Sequence, residues 1–284
     1  MSMRADSVSQ SDLGQLCELI YSECGIKLSL DKQVMIEGRL KRRLRELDIE
    51  TYAEYCRFLF SSIRSHKDRQ EEIGHLIDVM TTNKTDFFRE SAHFDYLVDK
   101  ALPTLAAEGG GGRELRFWSA GCSTGEEPYT LAMVLDRYAE SHPGFKFKVL
   151  ATDISNTVLA KAKMGVFTSE VVQPVATDYR RKYFMRSRDP SSNQLRIVPE
   201  LRQFIEFRWL NLMEDFGMSE RMDGIFCRNV IIYFDRPTQE RLLAKFSQQL
   251  VTGGFMFVGH SETLHDMDLP LVPVAPALYR KIKD

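Results

Sequence analysis

Leu115-Arg116-Phe117-Trp118-Ser119-Ala120-Gly121-Cys122-Ser123-Thr124-Gly125-Glu126-Glu127-Pro128 reads as an apolar strand that ends in a glycine loop and enters a helix. Open α/β sheets bind ligands at this kind of carboxyl edge, and the two glycines let backbone approach a bound molecule closely. The spacing is GxxxG, neither the GxGxxG of dinucleotide folds nor the GxxxxGK[ST] of phosphate-cradling loops, and no lysine stands ready for a phosphate. Two carboxylates follow instead. At a helix N-terminus they would repel a pyrophosphate and suit a cofactor that presents a cation and hydroxyls. Thr124-x-x-Glu127 also has the form of a capping box, a purely structural alternative.

Outward from this loop, strands are expected at Leu115–Ser119, Lys146–Thr152, Ile205–Leu210, Gly224–Cys227 and Phe255–Gly259, with helices near 124–140, 155–164 and 237–250. The alternation implies a mostly parallel, doubly wound sheet. The second strand ends in Asp153, positioned either to accept from a ribose diol or to cap the next helix. The fourth strand delivers Arg228 and Asn229 to the same edge, followed by Val230-Ile231-Ile232-Tyr233-Phe234. Between Val166 and Phe204 the alternation stops. Tyr183-Phe184-Met185 and Leu195–Val198 flank the turn-rich Ser187-Arg188-Asp189-Pro190-Ser191-Ser192-Asn193, which reads as a small antiparallel β subdomain inserted at 167–207.

The first 80 residues are helical. Leu13, Leu16, Cys17 and Ile20 form one stripe that stops at Gly25, and a second helix opening at Asp31 aligns Ile36, Leu40, Leu44 and Leu47. A third helix starts at the capping box Thr51-x-x-Glu54, and a fourth aligns Ile73, Leu76, Ile77 and Met80. The polar segment Thr81–Asp86 opens a junction at 81–95, from which a helix runs from Ser91 to the glycines at 109–112, and the α/β domain occupies 96–284. On the second helix, Arg39, Lys41, Arg42, Arg43 and Arg45 surround the apolar arc, a basic face for an acidic partner.

The 284 residues are 43% hydrophobic and 27% charged with a formal charge of −2, which excludes a disordered chain and any global basic field for nucleic acid or anionic lipid. No apolar run approaches the ~20 residues of a spanning helix, and the N-terminal residues lack an apolar signal core, so a cytoplasmic protein is expected. The five cysteines include no CxxC pair and have no clustered histidines, so neither a disulfide framework nor a metal site is expected.

Four motifs in order, Thr81–Glu90, Ser123–Tyr129, Phe226–Phe234 and Gly259-His260-Ser261-Glu262, resemble those of the chemotaxis receptor methyltransferases, the CheR family. The resemblance runs from about residue 12 to the C-terminus. It implies a class I S-adenosylmethionine-dependent methyltransferase sheet with an all-α N-terminal domain and an inserted β subdomain, which esterifies glutamate side chains on the cytoplasmic helices of chemoreceptors. Asn83, Thr85, Arg89, Gly121, Glu127, Asp153, Asn211, Leu212, Arg228 and Asn229 match or adjoin the family's cofactor-contacting positions. Arg89 and Tyr233 fall where the family places residues beside the transferring methyl, and Arg228 is a further candidate for holding the incoming carboxylate. The basic helix, through Arg39, Arg42, Arg43 and Arg45, would dock the receptor. Some members also grip a receptor's C-terminal pentapeptide with a glycine-containing loop of the β subdomain. Here that loop is Ser187-Arg188-Asp189, which argues against such a tether.

Two other functions share the fold. A nucleic-acid methyltransferase is opposed by the acidic balance and by Cys-Arg-Asn-Val where amino-group methylases of bases carry an Asn/Asp-Pro-Pro-Tyr/Phe motif. A non-catalytic adaptor that senses the cofactor is opposed by the intact motif residues. A monomer is the expected state.

Overall fold

The computed structural model describes residues 7–61, 65–108, 112–189 and 191–283. In the N-terminal domain, α1 (Gln10–Cys24) is capped by the Ser9 side chain and ended by Gly25 at φ 73°. A 3₁₀ turn (Leu30–Lys32) precedes α2 (Gln33–Glu46), so the helix expected from Asp31 begins as a tighter turn. Then come α3 (Tyr52–Phe60), whose Thr51/Glu54 box makes both of its reciprocal bonds, and α4 (His66–Met80). The expected stripes meet in one core, where Leu13, Leu16, Ile36, Leu40, Leu44 and Leu76 are all fully buried.

The arginines of α2 divide by what they touch. Arg43 reaches across to α4, donating from Nε to Glu72 Oε1 at 3.0 Å and from Nη2 to Oε2 at 2.6 Å, while the Tyr55 hydroxyl donates to the same carboxylate at 3.0 Å. Arg39 donates to the Met80 carbonyl and to Thr82 Oγ1, fixing the end of α4. Lys41, Arg42 and Arg45 are exposed, Arg42 pairing with Glu46 at 2.9 Å. The basic face is therefore narrower than its sequence suggests. Arg43→Ala leaves a buried Glu72 uncompensated and is expected to cost about 3 kcal/mol in urea unfolding, whereas Arg42→Ala is expected to stay within about 0.5 kcal/mol.

Past the junction, the helix expected from Ser91 is split into α5 (Ala92–Tyr96), a wide π turn (Leu97–Ala101) and α6 (Leu102–Glu108). Of the expected glycine loop, Gly109–Gly111 lie outside the described residues. The remaining elements are β1 (Glu114–Ala120), α7 (Glu126–Ser141), β2 (Lys146–Asp153), α8 (Asn156–Met164), β3 (Val166–Thr168), α9 (Ser169–Val172), α10 (Thr177–Tyr183), β4 (Phe184–Arg186) and β5 (Gln194–Ile197). They continue as α11 (Pro199–Arg202), β6 (Ile205–Trp209), β7 (Met222–Cys227), α12 (Arg236–Gln249), β8 (Leu250–Val258), β9 (Leu271–Ala275) and β10 (Leu278–Lys281).

The main sheet has the order β6-β2-β1-β7-β8-β10-β9. The expected strands are parallel to their neighbours, and β10 runs antiparallel to β8 and to β9. Pro273 inside β9 and Pro276 just after it obscure this terminal ribbon in the sequence. From β1 the chain builds outward through β2 and β6, then crosses back to β7 on the other side, so the carboxyl end of β1 is the topological switch point. The inserted sheet is antiparallel with order β3-β5-β4, and α9 and α10, absent from the sequence reading, pack within the insert. No described helix is long and apolar enough to cross a membrane. All five cysteines are free and four are buried.

Candidate functional site

At the switch point Gly121 takes φ 80°, and a side chain there would place its Cβ 2.5 Å from Val230 Cγ2. The N–H groups of Gly121 and Cys122 both donate to the Thr152 carbonyl, which locks the glycine loop to the end of β2. Asp153 completes that lock. Its Oδ2 accepts from Ser123 N at 2.8 Å and its Oδ1 from Ser155 N at 2.9 Å. The cap of α8 is Ser155, so Asp153 spans two loops at the cleft wall rather than capping the helix. Burial pushes the Asp153 carboxyl up, and the donating N–H groups of Ser155 and Ser123 hold it down. The Ser123 hydroxyl in turn donates to the Asn83 carbonyl at 2.9 Å, drawing the junction over the loop.

The capping-box alternative for Thr124 and Glu127 does not form. Gly125 is the N-cap of α7, and the Thr124 hydroxyl donates to Glu126 at 2.6 Å. Glu127 turns inward, accepting from Ser119 Oγ at 2.7 Å and lying 3.2 Å from Arg228 Nε. Burial pushes its carboxyl up, opposed chiefly by the Arg228 charge.

Arg228 is delivered by the end of β7 with its side chain only 2% exposed. It lies between Glu127 and Glu90, 3.7 Å from the latter, over the Phe94 ring, and donates from Nη2 to the Arg89 carbonyl. Its Nε and Nη1 make no well-aligned hydrogen bond, and Asn229 Oδ1 is likewise buried without a donor. Asn229 takes φ 59°, a conformation held by Glu262. Glu262 Oε2 accepts from Gly259 N at 2.6 Å and Asn229 N at 2.9 Å, and its Oε1 accepts from Ile232 N at 3.2 Å. Glu262 thus shapes the whole turn that carries Arg228, Asn229 and Tyr233. In the sequence Glu262 closes the Gly259-His260-Ser261-Glu262 motif, but nothing there assigns it this bracing role.

These elements enclose a cavity of about 550 Å³, within the usual range for small-molecule clefts. Its wall includes Asn83, Thr85, Arg89, Gly121, Glu127, Asp153, Asn211, Leu212, Arg228, Asn229 and Tyr233 together with Arg39, Met35 and Ile26 of the helical domain. Arg42, Arg43 and Arg45 are not among them. Asn211 spends its amide on fold: Nδ2 donates to the Glu23 carbonyl at 2.7 Å and Oδ1 accepts from Met213 N at 3.1 Å, joining the two domains. Arg89, a residue of the cavity wall, donates from Nη1 to the Lys84 carbonyl at 3.0 Å.

The donor set suits a small molecule with both charges and hydroxyls. The unpartnered Arg228 Nη1 matches a carboxylate, the unpartnered Asn229 oxygen matches an amine, and Asp153 retains lone pairs for a diol. S-adenosylmethionine carries all of these groups, and the residues present fit it.

Comparison with known proteins agrees. Residues 83–274 match the model of the CheR methyltransferase, SAM binding domain, and residues 11–81 match the CheR methyltransferase, all-alpha domain. The chemotaxis protein methyltransferase of Borreliella burgdorferi is 38% identical over 97% of this chain and 95% of its own length. Chemotaxis protein methyltransferase 2 of Pseudomonas aeruginosa is 40% identical over 89% of this chain and 87% of its own. The chemotaxis protein methyltransferase of Escherichia coli is 36% identical over 98% of this chain and 93% of its own. Built on an S-adenosylmethionine-binding domain, the chain belongs to the CheR family of chemotaxis methyltransferases.

Proposed function

We propose that this chain is a protein-glutamate O-methyltransferase that esterifies glutamate side chains on the cytoplasmic helices of chemoreceptors. The observation that carries the reading is the pairing of two arginines, Arg89 and Arg228, in a cleft whose described wall residues include no histidine and whose carboxylates Glu127 and Asp153 are held by Ser119 and Arg228 and by the Ser123 and Ser155 N–H groups. A glutamate acceptor, with an ordinary pKa of about 4.3, is ionised at neutral pH and needs no proton removed. When bound, S-adenosylmethionine supplies an electrophilic methyl group on a sulfonium sulfur.

The chain's own residues orient and exclude water. Asp153 holds the ribose diol, Arg228 and Asn229 hold the amino-acid head, and Asn83 and Thr85 close the junction over it. Arg89 and Tyr233 line the remaining mouth and align the incoming carboxylate, a positioning task that supplies up to ~7–11 kcal/mol in well-oriented reactions. Because opposite charges merge into neutral products, tight trapping of the ions would slow the step, and alignment outweighs electrostatic stabilisation.

Receptor docking falls to the exposed part of α2. Arg42, Arg45 and Lys41 remain available to an acidic helix, while Arg39 and Arg43 hold the platform that carries them. In the β subdomain, Asp189 Oδ1 accepts from both Ser191 N and Ser191 Oγ, closing the loop on itself, and the reading includes no pentapeptide tether. The test is transfer of labelled methyl to a chemoreceptor cytoplasmic fragment. Incorporation is expected, and is expected to vanish when the fragment's candidate glutamates are changed to glutamine. Label that persists on the glutamine fragment would refute the acceptor.

A further inference from the structure

Behind Arg228, outside the cavity wall, Glu90, His93 and His260 converge from segments 170 positions apart, with one ligand atom of each lying within 4.8 Å of the others. The sequence predicts no metal site, because its cysteines form no CxxC pair and have no clustered histidines. His93 is 3% exposed at its side chain, with the Pro276 backbone as its one hydrogen-bonding neighbour, and Glu90 Oε2 accepts no hydrogen bond. The His93 Nδ1 to Glu90 Oε2 separation of 3.6 Å is too long for a hydrogen bond. A buried polar atom left unpaired costs about 1–3 kcal/mol, so His93 Nδ1 and Glu90 Oε2, which face each other, call for a shared partner.

We propose that Glu90, His93 and His260 form a binding site for one divalent transition-metal ion of the zinc class. Two imidazoles and one carboxylate are a borderline N/O set, suited to zinc and unlike the all-oxygen shells of calcium or magnesium. Tetrahedral zinc with bonds of about 2.0–2.1 Å spaces its ligand atoms about 3.3 Å apart, near the existing His93–Glu90 separation. His260 is exposed, and its backbone N donates to Glu90 Oε1 at 3.3 Å, so its ring can close the site from the solvent side and leave a fourth position to water. The metal shares Glu90 Oε2 with Arg228, whose Nε is 3.7 Å away, and this competition limits the affinity.

The experiment is a Zn²⁺ titration of the full chain against a chromophoric chelator, with S-adenosylhomocysteine saturating so that the cleft's own donors are covered. One equivalent is expected to bind, and Co²⁺ in its place is expected to give a visible d–d absorption of low-symmetry coordination. His260→Ala, at an exposed position, is expected to weaken binding by about tenfold or more, as is Glu90→Gln, while His265→Ala leaves it unchanged. No uptake by the wild-type chain, or uptake indifferent to His260→Ala, would overturn the site.

Discussion

Arg228→Ala is expected to lose about two to three orders of magnitude in methyl transfer and, in addition, to lose stability in a pH-dependent way. The guanidinium lies between Glu127 and Glu90, and removing one partner of a buried pair typically costs about 3–5 kcal/mol because the remaining charge is uncompensated. The sign of the pH dependence follows from Glu127. Burial already raises its carboxyl in the folded chain, and Arg228 is the main group opposing that rise. Without Arg228 the folded pKa climbs further above the unfolded value. The penalty is therefore absent below the unfolded carboxylate pKa of about 4.3 and grows as pH rises toward the folded value. Urea unfolding should find the variant closest to wild type near pH 5 and furthest from it near pH 8. An equal loss at both would mean that Glu127 is not held ionised by Arg228.

Glu262→Ala is expected to be the most damaging substitution away from the cavity wall. It strips the acceptor from the N–H groups of Gly259, Asn229 and Ile232 at once. At about 1–3 kcal/mol for each donor left unsatisfied, the loss should be about 3 kcal/mol or more. The φ 59° of Asn229 then loses its support, and the Arg228–Tyr233 turn relaxes away from the cleft. Calorimetric affinity for S-adenosylhomocysteine should fall by about tenfold or more under conditions where the variant is still folded. Glu262→Gln keeps one acceptor oxygen but turns an amide toward a backbone donor, so it should fall between. A Glu262→Ala chain within about 1 kcal/mol of wild type and with unchanged affinity would show that the turn supports itself.

Much of this site is legible before any coordinates because a doubly wound sheet places successive strand ends side by side. Gly121 and Arg228 follow, and Asp153 ends, neighbouring strands of the sheet, and the parallel pairing of β1 with β2 and β7 brings those ends to one edge. What the sequence hides are partners chosen by tertiary packing. Arg43 looks like its exposed neighbours in α2 until α4 brings Glu72, 29 positions away, against it. Glu127 satisfies a local capping pattern, yet Ser119 and Arg228 win it for the interior. Glu90 and His93 stand three positions apart, but His260 lies 170 positions from Glu90, and only the docking of α5 beside the end of β8 brings it to them. The terminal ribbon of β9 and β10 escaped for a local reason, since Pro273 breaks the alternation that marks a strand.

Ester and amide chemistry separate most sharply under mild alkali. The direct test is to methylate a chemoreceptor cytoplasmic fragment with methyl-labelled S-adenosylmethionine and measure the protein-bound label that mild alkali releases as methanol. Glutamyl methyl esters predict near-complete release from the wild-type reaction and none above background from Arg228→Ala. Label that withstands alkali would mean methylation of nitrogen and would contradict carboxyl esterification.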